Sequence, residues 1–240
     1  RNCLVGSEMC IRDSNNTEHA ANLFGLKEFG NIYSRLGNPT VGALEARLTA
    51  LEDGAMCVAL SSGTSAVMYS LINIMSQGDN FVTANQLYGG TYTMFDNILP
   101  EYGINSKKVD ITDFEAVESA IDEKTRAIYC ETITNPGLVV ADISALADIA
   151  HSKGIPLIVD ATFTTSAILK PFEFGADIVV YSLTKWMSGH GRVIAGAVIE
   201  KGGFDWGNGN FPLYDKPDTS YGGMRSVSYT HLTLPTTRCG

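Results

Sequence analysis

Asp177-Ile178-Val179-Val180-Tyr181-Ser182-Leu183-Thr184-Lys185 is an apolar run of strand length that leads into two hydroxyls and a lysine. An earlier run, Pro156-Leu157-Ile158-Val159-Asp160, closes on a carboxylate. Strands this apolar need cover on both faces, which points to a mostly parallel sheet sandwiched between helices. In α/β sheets of that kind ligands bind beyond the carboxyl ends of the strands, so polar residues at those ends are the first candidates for a site. Taken singly, a strand-end lysine or aspartate is more often an ordinary solvent-facing residue. The weight lies in their combination and in the residues around them.

Working outward, helix-like and strand-like segments alternate from Pro39 to Ala197 with no long linker or internal repeat, an α/β rhythm. Asn38-Pro39 reads as an N-cap and first-turn proline, with Val41, Leu44, Leu48 and Leu51 on one helical face and Gly54 as the stop. Strands are predicted at 56–60, 80–83, 104–109, 127–131, 156–160, 178–181 and 193–199. Helices are predicted from Ser61-Ser62-Gly63 to about Met75, from Gly89 to Tyr102, from Thr112 to about Ile121, and from Asp142 or Ser144 to Gly154. Thr112-Asp113-Phe114-Glu115 has the form of a capping box.

Each strand end then offers a chemical group. A lysine amine held at the end of a buried strand can form a Schiff base, and a carboxylate on a neighbouring strand can keep a proton on a pyridine nitrogen. Lys185 and Asp160 together therefore suggest pyridoxal 5'-phosphate. Ser61-Ser62-Gly63-Thr64-Ser65 joins a strand to a helix, so the first-turn amides, with the helix dipole behind them, face whatever anion sits above them. Plain N-capping is the competing use of Ser62 and Thr64. Ser182 and Thr184 lie on one side of an extended segment and can share the same phosphate. Tyr88, in Gln86-Leu87-Tyr88-Gly89-Gly90, can lay its ring against a flat heterocycle or pack on the sheet edge. Asn135, in the turn Thr134-Asn135-Pro136-Gly137, can donate its amide to a cofactor oxygen or a substrate carboxylate. His190, between Gly189 and Gly191, reads as structural rather than as a base. Neither GxxxxGK[ST] nor GxGxxG is present, which disfavours nucleotides and dinucleotides.

Composition narrows the class. The 240 residues are 45% hydrophobic and 18% charged, enough for one large or two small globular domains. A net charge of -9 argues against a nucleic-acid partner, which needs concentrated Lys and Arg to displace counterions. No stretch reaches the roughly 20 apolar residues of a spanning helix, and the N-terminus lacks the pattern of a secretory signal. Cys57 and Cys130 fall in strand-like runs, and no CxxC pair or Cys/His cluster has metal-ligand spacing, so reduced buried thiols in a cytoplasmic protein are expected, and no metal. Residues 1–14 and 227–240 carry no periodicity and read as non-native flanks.

The interior resembles the pyridoxal-phosphate enzymes of cysteine and methionine metabolism. EHAANLFGLKEFGNIYSRLGNPT, QLYGGTY, ETITNP, GADIVVYSLTKWMSGHG, FDWGNGNFP and SYGGMR occur in family order between Asn15 and Arg225. The resemblance implies the aspartate-aminotransferase-like fold (fold type I), with an N-terminal arm over 15–38 and a cofactor-binding large domain over 39–226. It implies that the chain stops where the family's small C-terminal domain begins. Lys185 would be the Schiff-base lysine, Asp160 the partner of the pyridinium nitrogen and Tyr88 the stacking ring. Ser62, Gly63, Thr64, Ser182 and Thr184 would hold the phosphate, Tyr33 and Arg35 would reach it from a neighbouring subunit, and Tyr33 would assist proton movement. Asn135 would sit by the cofactor hydroxyl and the substrate carboxylate. Self-association as a dimer, and a tetramer of such dimers, is implied with it.

The implied reaction is γ-replacement on O-acetylhomoserine by sulfide or methanethiol, giving homocysteine or methionine and acetate. Cystathionine γ-synthase and methionine γ-lyase chemistry are the alternatives within the family, and a cofactor-binding fragment without turnover is the alternative outside it. An aldolase-type lysine enzyme would leave Asp160 and the phosphate-facing hydroxyls without a use. One departure from the family pattern is Ala161, where asparagine is usual after the aspartate. It is expected to loosen the support of Asp160.

Overall fold

The computed structural model describes residues 16–24, 27, 34, 37–219, 223 and 225. Tyr33, Arg35 and the two flanks expected to be non-native lie outside the described residues. The chain divides into two compact units, 1–47 and 48–240. The first unit contains helix α1 (Thr17–Phe24) and the start of α2 (Pro39–Glu52), capped by the Asn38 side chain, which accepts the Thr40 and Val41 amides at 2.9 and 3.3 Å.

Among its described residues the second unit is built on one seven-stranded sheet. Its strands are β1 (Met56–Leu60), β2 (Asn80–Ala84), β3 (Asn105–Val109), β4 (Thr125–Glu131), β5 (Leu157–Asp160), β6 (Ile178–Ser182) and β7 (Gly196–Glu200), in the order β1-β7-β6-β5-β4-β2-β3. β7 runs antiparallel to β1 and β6, and the remaining pairs are parallel. Ile158, Val159, Ile178, Val179, Val180, Ala197, Val198 and Ile199 are all fully buried, as strands covered on both faces require. Helices α3 (Gly63–Ile72), α4 (Gly89–Thr93), α5 (Phe114–Ala120), α6 (Ile143–Ser152), α7 (Thr165–Ile168) and α8 (Pro212–Asp215) complete the unit.

Several local expectations are corrected. Asp53, not Gly54, takes the left-handed conformation after α2, with φ 56°. Gly54 is needed for space instead, since a Cβ there would lie 2.8 Å from Ile199 and 3.2 Å from Phe172. The face expected to be buried on α2 is buried at Leu48, while Val41 and Leu44 are exposed. The stretch from Gly89 to Tyr102 is helical throughout but changes form, with a π turn over Met94–Ile98 and a 3₁₀ turn over Leu99–Tyr102. Pro100 has no amide to give to the α-helical ladder, which accounts for the change near it. Asp113 rather than Thr112 caps α5, accepting the Ala116 amide at 3.0 Å, because Thr112 is bonded back to Asp110. Residues 193–195 stay out of β7; the Ala195 amide is given to the Thr184 hydroxyl, while its carbonyl accepts both the Thr184 amide and that hydroxyl.

Behind the sheet's far end Phe204, Trp206, Phe211 and Tyr214 form an aromatic cluster. Asn208 and Asn210 bond the carbonyls of Lys153 and Gly154 just past α6. Trp206 is buried and gives its indole N–H to Glu200 at 3.0 Å. Cys57 and Cys130 are buried, and desolvation holds the Cys130 thiol well above its usual pKa. Among the described residues no helix is long and apolar enough to cross a membrane.

Candidate active site

The order β3-β2-β4-β5 has a switch at the β2/β4 boundary. The chain leaves β2 outward to β3 and leaves β4 in the other direction to β5. Right-handed connections send such neighbouring loops to opposite faces, and the crevice between them is where α/β sheets hold ligands. Tyr88 follows β2 and Asn135 follows β4, so they flank this crevice. Asp160 ends β5, Ser182, Thr184 and Lys185 follow β6, and Ser62-Gly63-Thr64 lies between β1 and α3.

These nine residues line one cavity of about 730 Å³. The structure thus brings together every predicted site residue that it describes. Val67, Ile133, Phe163, Trp186 and Ile194 supply its apolar lining.

At the β1–α3 turn, Ser62 caps the helix by accepting the Ser65 amide at 3.1 Å. The amides of Gly63 and Thr64 have no acceptor within the helix, as first-turn amides do not. Gly63 packs so tightly on Ser182 that a Cβ would collide with it, and one on Gly196 would collide with the Ser62 carbonyl. Backbone and β6 therefore meet with no side chain between them. The Thr184 hydroxyl is occupied by Ala195, donating to its carbonyl at 3.3 Å and accepting its amide at 3.1 Å.

Asp160 lines the cavity at the end of β5. Its Oδ1 accepts the Thr162 amide at 2.9 Å and its Oδ2 the Tyr129 hydroxyl at 3.3 Å. Desolvation raises its pKa above the ordinary carboxylate range, and the bonds from Thr162 and Tyr129 pull the other way. Thr162 also ties β5 to β6, its hydroxyl accepting the Ser182 amide at 2.8 Å. Ala161 is fully buried and gives its amide to Val180 in the ladder. With alanine at 161, the bonds to the Asp160 carboxyl come from Thr162 and Tyr129.

Lys185 sits exposed at the mouth, three residues beyond β6, its amide on the Ser182 carbonyl at 3.1 Å. Trp186, beside it, is 66% exposed, and the Tyr88 ring is 48% exposed. A Cβ on Gly90 would lie 2.7 Å from that ring, so glycine there leaves the tyrosine its place. His190 is exposed and bonds the Ser188 carbonyl.

Among the cavity residues that had no role in the sequence reading, Thr162 and Glu131 bond other residues of the site. Glu131 ends β4 opposite Asp160 in register and is buried. Desolvation, with Asp160 adding to it, pushes its pKa up to about 7 against the amides of Tyr88 and Asn135, which lower it. The signal was present, because Glu131 closes an apolar run just as Asp160 does. Among the described residues no group of three or more His, Cys, Asp and Glu side chains is arranged to hold a metal ion.

Residues 11–233 match the profile of a single family, described as Cys/Met metabolism PLP-dependent enzyme. The chain belongs to that family. It is 47% identical over 209 residues to the O-acetyl-L-homoserine sulfhydrylase of Leptospira meyeri, covering 87% of this chain and 47% of the relative. It is 48% identical over 213 residues to O-acetyl-L-homoserine sulfhydrylase 1 of Thermus thermophilus, covering 87% and 50%. The chain spans about half the length of the curated relatives it matches. Among solved structures, a putative O-acetylhomoserine (thiol)-lyase of Campylobacter jejuni, crystallised with N'-pyridoxyl-lysine-5'-monophosphate, superposes with a TM-score of 0.87 at 39% identity. That match covers 90% of this chain and 54% of the other. The fold is therefore that of the PLP-dependent enzymes.

The residues present fit such a cofactor. A desolvated carboxylate, a partly exposed aromatic ring, a lysine at the mouth and a glycine-lined helix N-terminus share one cavity.

Proposed function

We propose that this chain is the cofactor-binding part of a cytoplasmic pyridoxal-phosphate enzyme that replaces the acetoxy group of O-acetyl-L-homoserine with sulfide or methanethiol. The products are homocysteine or methionine, and acetate. The observation that carries this reading is the convergence of Lys185 and Asp160 on one cavity with the seven other predicted residues.

In this reading Asp160, kept in place by Thr162 and Tyr129, holds a proton on the ring nitrogen. Tyr88 would hold the ring by stacking. The amides of Gly63 and Thr64, the Ser182 hydroxyl and the loops of Ser62 and Thr184 take the phosphate. Asn135 donates to the cofactor hydroxyl or the substrate carboxylate. Lys185 would hold the group covalently, and its amine would move protons at the α and β carbons of the substrate. The bound group supplies an electron sink for the charge left at those carbons. Tyr33 and Arg35 would complete the site from a second copy, in a dimer that pairs into a tetramer. Residues 15–38 would form the arm that reaches across, and 39–226 the large domain.

Absorbance of the 240-residue chain with added pyridoxal phosphate tests this. The expected outcome is a band near the visible edge that borohydride fixes covalently in the parent and not in Lys185→Ala. A folded chain without the band, or a band indifferent to Lys185→Ala, overturns it. A second reading, cofactor binding without turnover, is favoured by the chain's spanning about half the length of its relatives. Acetate release from O-acetylhomoserine in the presence of sulfide separates the two.

A further inference from the structure

Glu131 carries two bonds that no role described so far requires. Its Oε1 accepts the Tyr88 amide at 2.7 Å and its Oε2 accepts the Asn135 amide at 3.0 Å. Tyr88 belongs to the loop leaving β2 and Asn135 to the loop leaving β4. These two loops diverge at the switch point, so no ladder bond joins them there. One buried carboxylate spans the gap and uses both oxygens to do it.

We propose that Glu131 is a positioning residue. Its carboxylate is a strap across the crevice that sets where the Tyr88 ring and the Asn135 side chain stand, acting through their backbone amides.

Three further observations support the strap. Glu131 is a buried carboxyl, which costs free energy unless specific donors repay it, and both of its oxygens have such a donor. The loops are also close-packed at a second point, since a Cβ on Gly137 would collide with the Gln86 side chain. The bonded amides belong to two cavity-lining residues, one from each side of the β2/β4 crevice, and Tyr88 stays partly exposed. Glu131 therefore acts on the cavity contents through residues 88 and 135. The titratable groups around it are Asp160 on β5 and, on its own strand, Tyr129 and Cys130, both of which burial keeps neutral.

The role toward the cofactor rests on the functional reading above, so the test has one arm that does not. Amide hydrogen exchange is followed residue by residue in the 240-residue chain without cofactor, for the parent, Glu131→Gln and Glu131→Met. Gln retains one accepting oxygen and Met none, at similar volume. Loss of a bond to a charged acceptor is expected to speed exchange about ten- to a hundredfold. Met should release both the Tyr88 and Asn135 amides and Gln at least one, with the β5 and β6 amides unchanged. The second arm adds pyridoxal phosphate and reads the visible circular dichroism per bound cofactor, which reports how the ring is held. It is expected to fall by at least about twofold in Glu131→Met, with the Lys185 link still fixed by borohydride. Exchange at both amides unchanged in both variants overturns the strap. Faster exchange with unchanged dichroism overturns its role as a positioning residue. Failure of the parent to bind cofactor refutes the functional reading and leaves the exchange arm to decide the strap. Should Glu131→Gln not fold, Glu131→Met carries the same comparison.

Discussion

Gly196, two residues past the cavity-lining Ile194, packs on the backbone of the β1–α3 turn, and a single methyl group there does harm. A Cβ there would enter the Ser62 carbonyl and crowd the Gly63 amide, both of them backbone, which cannot swing aside as a side chain would. Gly196→Ala is expected to cost about 1–3 kcal/mol in urea unfolding and to weaken cofactor binding, because it moves the start of α3. At this scale legibility depended on distance along the chain. Lys185 and Asp160 could be picked out because a polar residue closing an apolar run is visible locally. Glu131 closes its run in the same way, yet its meaning lies in an amide 43 positions away, and no local pattern reports that. Thr162 was hidden for the same reason, its hydroxyl meeting an amide 20 positions on. Tyr33 and Arg35 remain expectations.

Elements were read well in their type and order and less well at their ends. All seven predicted strands exist, but the last begins at Gly196, with the Ala195 amide given to the Thr184 side chain. Val193 and Ile194, apolar and exposed, look like strand residues to any rule based on hydrophobicity. The α5 N-terminus gives a sharp test of cap assignment. Asp113→Ala is expected to cost about 1 kcal/mol in urea unfolding, and Thr112→Ala about half of that or less. The reverse order would restore Thr112 as the cap. Asp142→Ala should likewise cost about 1 kcal/mol, because the Asp142 side chain accepts the Ala145 amide at 3.1 Å at the head of α6.

Among the described residues, four carboxyls have pKa values raised by burial: Glu52, Glu131, Asp160 and Asp177. Glu52 is held by the Tyr181 hydroxyl, and Asp177 accepts His151 at 2.8 Å and the Leu157 amide at 2.9 Å. Above the ordinary carboxylate range, the folded chain keeps protons that the unfolded chain has released. The unfolded state then binds fewer protons, so stability falls as pH rises. The window runs from about pH 4 to about pH 7, its upper limit set by Glu131, which moves from 4.5 to about 7 and accounts for about 3 kcal/mol by itself. Urea unfolding of the cofactor-free chain at pH 5 and pH 8 should show the higher stability at pH 5. Equal or greater stability at pH 8 would mean that these groups are solvated in the folded state. Net charge alone says nothing about this trend, because it arises from which acids are buried, and burial follows from the sheet order.

The sequence has two tryptophans, and the fold has put them to opposite uses. Trp186 is 66% exposed next to Lys185 on the cavity lining, whereas Trp206 is 3% exposed in the aromatic cluster. The protein therefore carries two optical probes of separate events. Emission from Trp186 should be red-shifted and be quenched by energy transfer when a chromophore absorbing near the visible edge occupies the cavity. The blue-shifted emission maximum of Trp206 should move to the red only when the sheet itself comes apart. Ligand arrival and unfolding can then be timed in one cuvette, with no label attached.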